Sequence, residues 1–532
     1  MKSAAAVLSS FAVVLAGCAS QESHTGHHGG ARLGAVNFPV SCNAAAQQEF
    51  NTAMAYYHSF AWAQIRDPLE RALKADPGCG MVHWLRALAS LDNPFTWPGI
   101  ISQPTLAAGP DILDTARKTG LKTQRERDYV DALAAFFNDS AKLDHRTRAK
   151  ALESALGNVM QRYPEDKEAA ILYALVLSAN FDPTDRKYTN QLKAAAILDP
   201  IFKQQPQHPG VAHYLIHSYD YPPIASHGLD AARRYSAIAP DAAHALHMPS
   251  HIFTRVGAWK ESIESNRESA RVAGDKAFDK WHAYDYMVYA HLQLGQDRAA
   301  REVVRAALDN PSRVDHPASA YAYAAMPARL ALERGAWKEA AALPLFEAQS
   351  YPWGKYPFSE AINAYARGIG AAMSGDVAAA RAQADRLQTL RGAMKVPYWV
   401  EEIGIQAEVV RGLALCTEGD RARCIETLRA AAAREDATEK HVITPGRLVP
   451  ARETLAYALL DSGDAATALK DFETVLERDP NRLRTYVGAA RAAERSGERK
   501  KAAEYAKRVL ELTQAADTPL AEITLAKELL AR

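Results

Sequence analysis

The chain has 532 residues, 48% of them hydrophobic and 23% charged, the profile of an ordinary folded protein. Its 63 Lys and Arg against 62 Asp and Glu leave a formal charge of +1, which excludes the basic footprint of a nucleic-acid binder. That length exceeds what one compact core supports, so several domains or an open array of repeats are expected.

Met1 and Lys2 supply a short positive end, followed by an apolar run to Val14 and then Leu15-Ala16-Gly17-Cys18. The small residues before the cysteine resemble the lipobox of bacterial lipoproteins. The resemblance implies a signal peptide over residues 1–17, cleavage before Cys18 and lipid on its thiol; the run is too short to span a bilayer. An ordinary secretory signal with an incidental cysteine is the competing expectation. Ala19, rather than Asp, points to the outer membrane by resemblance to sorting in enteric bacteria. Residues 18–35 read as a flexible tether, with His24, His27 and His28 as a metal-collecting tail in the sharper alternative.

From about Val36 onward the period is helical, with alanine-rich amphipathic runs broken by short Gly, Pro or Asp punctuation. A first hairpin runs from about Ala46 to Cys79, with small Ala53 and Ala72 where helices must approach and Asp76-Pro77 closing the unit. Near the C-terminus, Gly463, Ala468, Phe472 and Val475 recur as Gly497, Ala502, Ala506 and Val509, each 34 residues later. That is the period of the tetratricopeptide repeat, a helix–turn–helix unit that buries its apolar face only against a neighbour. Gly257, Gly295, Gly335, Gly375 and Gly419 extend the series of turn glycines upstream at longer spacings. The expected fold is therefore all-α, a tetratricopeptide superhelix (an α-solenoid). An N-terminal array over residues 36–310 carries a histidine-lined groove, and a C-terminal array follows over 311–532. Asn93–Gly99, with Phe95 and Trp97 between prolines, and Asp182–Tyr188 interrupt the array as loops suited to connection or to a rim over a groove.

Beyond Cys18 there are four cysteines. Cys42 and Cys79 bracket the first hairpin, and Cys416 and Cys424 flank the turn at Gly419. In an oxidising compartment both pairs are expected as disulfides.

The chemistry concentrates in Pro209–Trp259. Seven of the 17 histidines lie between His208 and His251. His213 and His217 sit four apart, as do His247 and His251, and the two pairs are offset by 34 residues. One pair of positions is thus used twice in consecutive repeats. Asp220 and His244 fall on the same stripes. In the repeat family these positions of the first helix line the concave groove, whereas Leu215, Ile216 and Tyr219 take packing positions. His282 and Asp285, followed by Tyr289, occupy the equivalent stretch of the next unit, and His58 ends the first helix. Four imidazoles from adjacent helices can meet at one ion at about 2.0–2.1 Å per bond, the zinc distance, and imidazole suits zinc or copper. Asp220, His244 and Asp285 remain as supporting partners or ligands of a second ion. Pro249 counts against tidy geometry. It biases Met248 away from helix, so the His247/His251 spacing is not expected to be helical. Arg255 stands one turn beyond, to meet an anion or solvent. Phosphate-loop, nucleophile-elbow and H-E-x-x-H motifs are absent.

The strings CGMVHWLRALASLDNPF, HPGVAHYLIHSYDYPP and APDAAHALHMPSHIFTRVG resemble a family of bacterial exported tetratricopeptide proteins, over about half the chain from Cys42 to about Leu294. The resemblance implies the fold and the histidines at 213, 217, 244, 247 and 251, and it implies no reaction.

Three functions stand open: a scaffold holding a protein or peptide in the groove, a zinc- or copper-handling protein, and a metal-dependent enzyme with Asp220, Asp285 or His244 as acid or base. In each the chain is expected in the periplasm, held to the membrane by lipid on Cys18. Cys18→Ser is accordingly expected to move the protein from the membrane to the soluble fraction without loss of helical circular dichroism. Retention in the membrane after a high-salt wash would refute the anchor.

Overall fold

A computed structural model describes residues 30–99, 101–345 and 351–532. Cys18 and the histidines of the tether at 24, 27 and 28 lie outside the described residues. Among the described residues there are 26 α-helices and no strand, and no helix is long and apolar enough to cross a membrane.

The helices begin where short polar side chains can hold their free amides. Asn43, Ser102, Asp144 and Asp166 each accept a backbone N–H of the first turn, and Thr123 with Glu126 does so reciprocally. Proline opens the helices Pro209–Tyr219, Pro317–Glu333, Pro357–Met373 and Pro397–Thr417, where its missing donor costs nothing. The seven turn glycines from Gly257 to Gly497 all have positive φ, between +62° and +94°. At Gly257 the demand is double, because a Cβ there would lie 2.6 Å from that of Asn481.

Successive helices pack as antiparallel hairpins, the tetratricopeptide arrangement. Ala44–His58 lies against Arg66–Ala75 through fully buried Ala53 and Ala72. At the other end, Ala465–Arg478 and Arg499–Leu512 bury Ala468, Phe472, Ala502 and Ala506. The wider glycine spacing of the middle repeats is absorbed by longer helices, such as the 21-residue Pro397–Thr417, and by a long segment between Asp436 and Ala451. Both expected disulfide pairs are bonded, Cys42 to Cys79 and Cys416 to Cys424.

Arg32–Arg532 forms one unit. Its apolar core falls into a cluster reaching from Leu33 to Phe253, a second from Trp281 to Ala502, and a smaller third. The third joins Trp259, Ile263 and Tyr289 to Leu483, Ala506 and Val509, so the last repeats fold back on the middle ones. Trp259 Nε1 donates to the Asn481 carbonyl at 2.8 Å, and the Leu483 amide to Gln293 Oε1 at 3.0 Å.

A buried ion network locks this closure. Arg482 pairs with Glu333 at 2.7 Å and Glu453 at 2.9 Å, all three with side chains fully out of solvent. Removing the cation leaves two carboxylates buried without it. Arg482→Met is expected to destabilise the fold by about 3–5 kcal/mol, read as a lower urea midpoint. An unchanged midpoint would show that the closure does not depend on the network.

Candidate metal centre

The histidine stripes converge inside the N-terminal half. Their burial is nearly complete: His213 is 0% exposed, His247 1%, His251 3%, His217 5% and His282 7%. His213 and His217 lie on the helix Pro209–Tyr219, with their Nε2 atoms 3.1 Å apart. His247 ends the helix Ala243–His247 and His251 lies in Pro249–Arg255, and their Nε2 atoms are likewise 3.1 Å apart. The expectation that Pro249 breaks this spacing is overturned. Met248 between the two helices keeps α backbone (φ −54°, ψ −35°), so the pair rides one nearly continuous helical path. Packing against the helix Trp259–Ala273 outweighs the local steric bias of the proline.

Each pair finds a third imidazole of its own. His213, His217 and His244 form one triad and His247, His251 and His282 another, the ligand atoms within each lying within 4.8 Å of one another. The triads abut, with ring centroids of His217 and His251 6.3 Å apart and those of His244 and His247 6.2 Å apart. The four nitrogens expected to share one ion are thus apportioned to two groups. Buried His244 Nε2 and His282 Nδ1 have no hydrogen-bond partner among the described residues.

The outer nitrogens set the tautomers. His213 Nδ1 donates to the His58 carbonyl at 2.7 Å, and His251 Nδ1 donates to Asp220 Oδ2 at 2.8 Å. His247 Nδ1 donates to Asn266 Oδ1 at 2.6 Å, the Asn266 amide being oriented by its own donation to the Ser262 carbonyl. A neutral imidazole carries one proton, so His213, His247 and His251 are left with bare lone pairs on Nε2. At His247 and His251 those lone pairs face each other across 3.1 Å. Burial, reinforced by the other imidazoles, holds His213, His217, His244 and His282 well below the usual histidine range. It also brings His247 down to about 3, so near neutral pH the rings are in the form that binds metal.

The surroundings of the triads differ. Phe95, from the Asn93–Gly99 loop, stacks on His217 at 3.8 Å, and Phe60 lies 4.4 Å from His213, so the first triad is capped by hydrocarbon. The Tyr286 ring lies 4.8 Å from His247 and 5.2 Å from His282, and its hydroxyl is 3.4 Å from His251 Nε2 and 3.2 Å from the Thr444 carbonyl. Thr444 belongs to the segment after Asp436, which lies over the site from the C-terminal repeats. Arg186 and Tyr188 of the Asp182–Tyr188 loop reach Glu439 in that same segment, at 2.8 and 3.2 Å.

Of the other expected residues, Asp220 stays at the centre behind His251, and the rest go elsewhere. Asp220 accepts from Arg255 at 2.7 Å and lies 3.5 Å from Lys440 Nζ; burial acts to raise its pKa, but these cations and His251 hold it well below the usual carboxylate range. Arg255 is thereby buried rather than solvated. Asp285 is paired with Arg329 at 2.8 Å. Tyr289 packs against Trp259, and Tyr286, one position off the expected stripe, takes the place beside the histidines. The His58 ring turns away to Glu168 Oε2 at 3.0 Å, His208 takes Glu168 Oε1 at 2.9 Å, and only the His58 carbonyl serves the centre. The histidine spacing does not mark Tyr286 or Asn266. Tyr286 follows His282 by one helical turn, a spacing legible in the sequence, whereas Asn266 lies in the second helix of its hairpin, off that spacing.

Residues 459–526 match the tetratricopeptide-repeat family. No curated protein matches the chain. Among solved structures, the human IFIT1 dimer with m7Gppp-AAAA is 14% identical over 82% of this chain and 90% of its own, with a TM-score of 0.40. Yeast Tom70 is 10% identical over 91% and 89%, with a TM-score of 0.30. Cut9 with Hcn1, from the APC/C, is 11% identical over 92% and 96%, at 0.29. Nothing about ligands follows from similarity at this level.

Gly210 lets the helix of the first pair approach His58, since a Cβ there would lie 2.5 Å from His58 Nδ1. Gly210→Ala is therefore expected to cost about 1–3 kcal/mol, measured by urea unfolding. A neutral result would show that His58 moves aside freely.

Proposed function

We propose that this tetratricopeptide protein holds two transition-metal ions, one in each histidine triad, as a periplasmic protein anchored by lipid on Cys18. The observation that carries the reading is the pair of bare Nε2 lone pairs on His247 and His251, 3.1 Å apart with their other nitrogens tied to Asp220 and Asn266. Two lone pairs so placed repel unless a cation lies between or before them. The all-imidazole donor set favours zinc or copper, and the hydrogen bonds on the far nitrogens are those that orient metal-binding histidines. Metal holding is favoured over hydrolysis because, of the three acid or base candidates, Asp220 and Asp285 are each spent on a buried arginine and His244 is itself a ring of the first triad.

A second reading, the binding of a protein segment, draws on a cleft of about 350 Å³ in the C-terminal repeats, lined by Trp337, Ile369, Leu413, Ile425 and Tyr457. Its apolar walls suit a hydrophobic side chain of a peptide. The two roles are compatible, since the cleft and the triads use different residues.

Elemental analysis of purified, metal-loaded protein is expected to give two equivalents of zinc or copper. The double variant His213→Ala/His217→Ala is expected to keep one equivalent and most of its helical content. Asn266→Ala should weaken binding in the second triad by roughly 10- to 100-fold, the usual effect of losing an orienting partner. Wild-type protein that binds no metal would overturn the proposal and leave the peptide-binding reading.

A further inference from the structure

Two divalent ions bound only by imidazole would bring four positive charges into a buried space without a negative ligand. The nearest carboxylates do not answer this. Asp220 is engaged by His251, Arg255 and Lys440 and Asp285 by Arg329, while Asp279, 3.8 Å from His244 Nδ1 behind the first triad, can offset only one charge of the four. Lys440, itself buried, adds a further cation behind His251. Isolated charge in such surroundings is strongly disfavoured unless it is paired. Most of the compensating charge must come from outside the chain.

The position for it is also marked. The triads abut, with rings 6.2 and 6.3 Å apart across the boundary, so a ligand of a few atoms can reach both ions. On the first triad's side Phe60 and Phe95 offer no polar group. On the second, the Tyr286 hydroxyl lies 3.4 Å from His251 Nε2, the edge where an ion would be bound, and its one donation goes to the Thr444 carbonyl at 3.2 Å, a long bond that is readily exchanged. Resting on the two-ion reading above, we infer that the paired centre binds a small exogenous anion between its ions, with the Tyr286 hydroxyl as the hydrogen-bond donor to that anion. The ligand class is a compact monoanion of the hydroxide or azide kind, in keeping with the aromatic rings of Phe60, Phe95 and Tyr286 packed against the histidines.

The test uses full-length protein loaded with zinc or copper, its metal content first fixed by elemental analysis, and sodium azide as the probe, followed by calorimetry and by the infrared stretch of bound azide. One azide per two ions is expected. Tyr286→Phe should retain both ions and weaken azide by roughly ten- to a hundred-fold, the usual worth of a hydrogen bond to a charged group. His282→Ala, left with one complete triad, should lose the bridging stretch, which keeps the inference testable even if Tyr286→Phe fails to fold. Two-ion protein that binds no azide, or binds one per ion independently, would overturn the inference while leaving the two-ion reading intact. Unchanged azide affinity in Tyr286→Phe would remove the tyrosine from the site. Protein without metal would instead be a failure of the underlying reading, visible before any azide is added.

Discussion

Two imidazole nitrogens with their lone pairs turned toward each other at 3.1 Å form an arrangement that hydrogen bonding alone does not satisfy. Much of the N-terminal half is built to impose it. The carbonyl of His58, the carboxylate of Asp220 and the amide oxygen of Asn266 each claim the proton on the outer nitrogen of one ring. Every one of these acceptors is itself held. Asp220 is pinned by Arg255, Asn266 by the Ser262 carbonyl, and His58 by the buried Glu168–His208 pair and the Tyr214 hydroxyl at 2.8 Å. An orientation fixed by partners that are fixed in turn suits the proposed ions, because it sets ligand atoms in place in advance.

A repeat fold suits this purpose because it places equivalent positions side by side. The 34-residue offset sets His213 and His217 on one helix and His247 and His251 on the neighbouring path, so two like pairs meet at one boundary. Stacking repeats usually leaves such positions facing an open groove. Here the superhelix turns back on itself, through Trp259 and Asn481 and through the buried Arg482 network, and the segment after Asp436 lies over the histidines. The result is a buried polar site in place of an open one, with burial first and the neighbouring imidazoles second keeping the rings neutral.

The segment from Asp436 to Ala451 also joins the two halves chemically. Glu439 meets Arg186 and Tyr188 from the N-terminal repeats, Lys440 meets Asp220, and Thr444 meets both Tyr286 and Arg329. One stretch without regular structure thus touches the acceptor behind His251 and the hydroxyl in front of it. Irregular backbone is where such side chains can be brought together from distant parts of a chain.

What the sequence determined by itself was periodic or local. Helical period, turn glycines, the bracketed cysteine pairs and the 34-residue recurrence of the histidines all depend on residues within one or two repeats of each other, and each is legible as spacing. The recurrence also marked His244 and His282 as neighbours of the pairs. The tertiary structure decided the remainder. Met248 stays helical before Pro249 because packing outweighs a local bias, and Tyr286 rather than Tyr289 faces the rings because Tyr289 packs against Trp259. The division into two triads follows from which third ring each pair meets across a helix boundary. Lys440 and Thr444 reach the centre only because the array closes, bringing residues more than 150 positions away in sequence against Tyr286 and Asp220. Spacing along a chain fixes which side chains share a face, whereas long-range closure fixes what that face meets, and no local period records it.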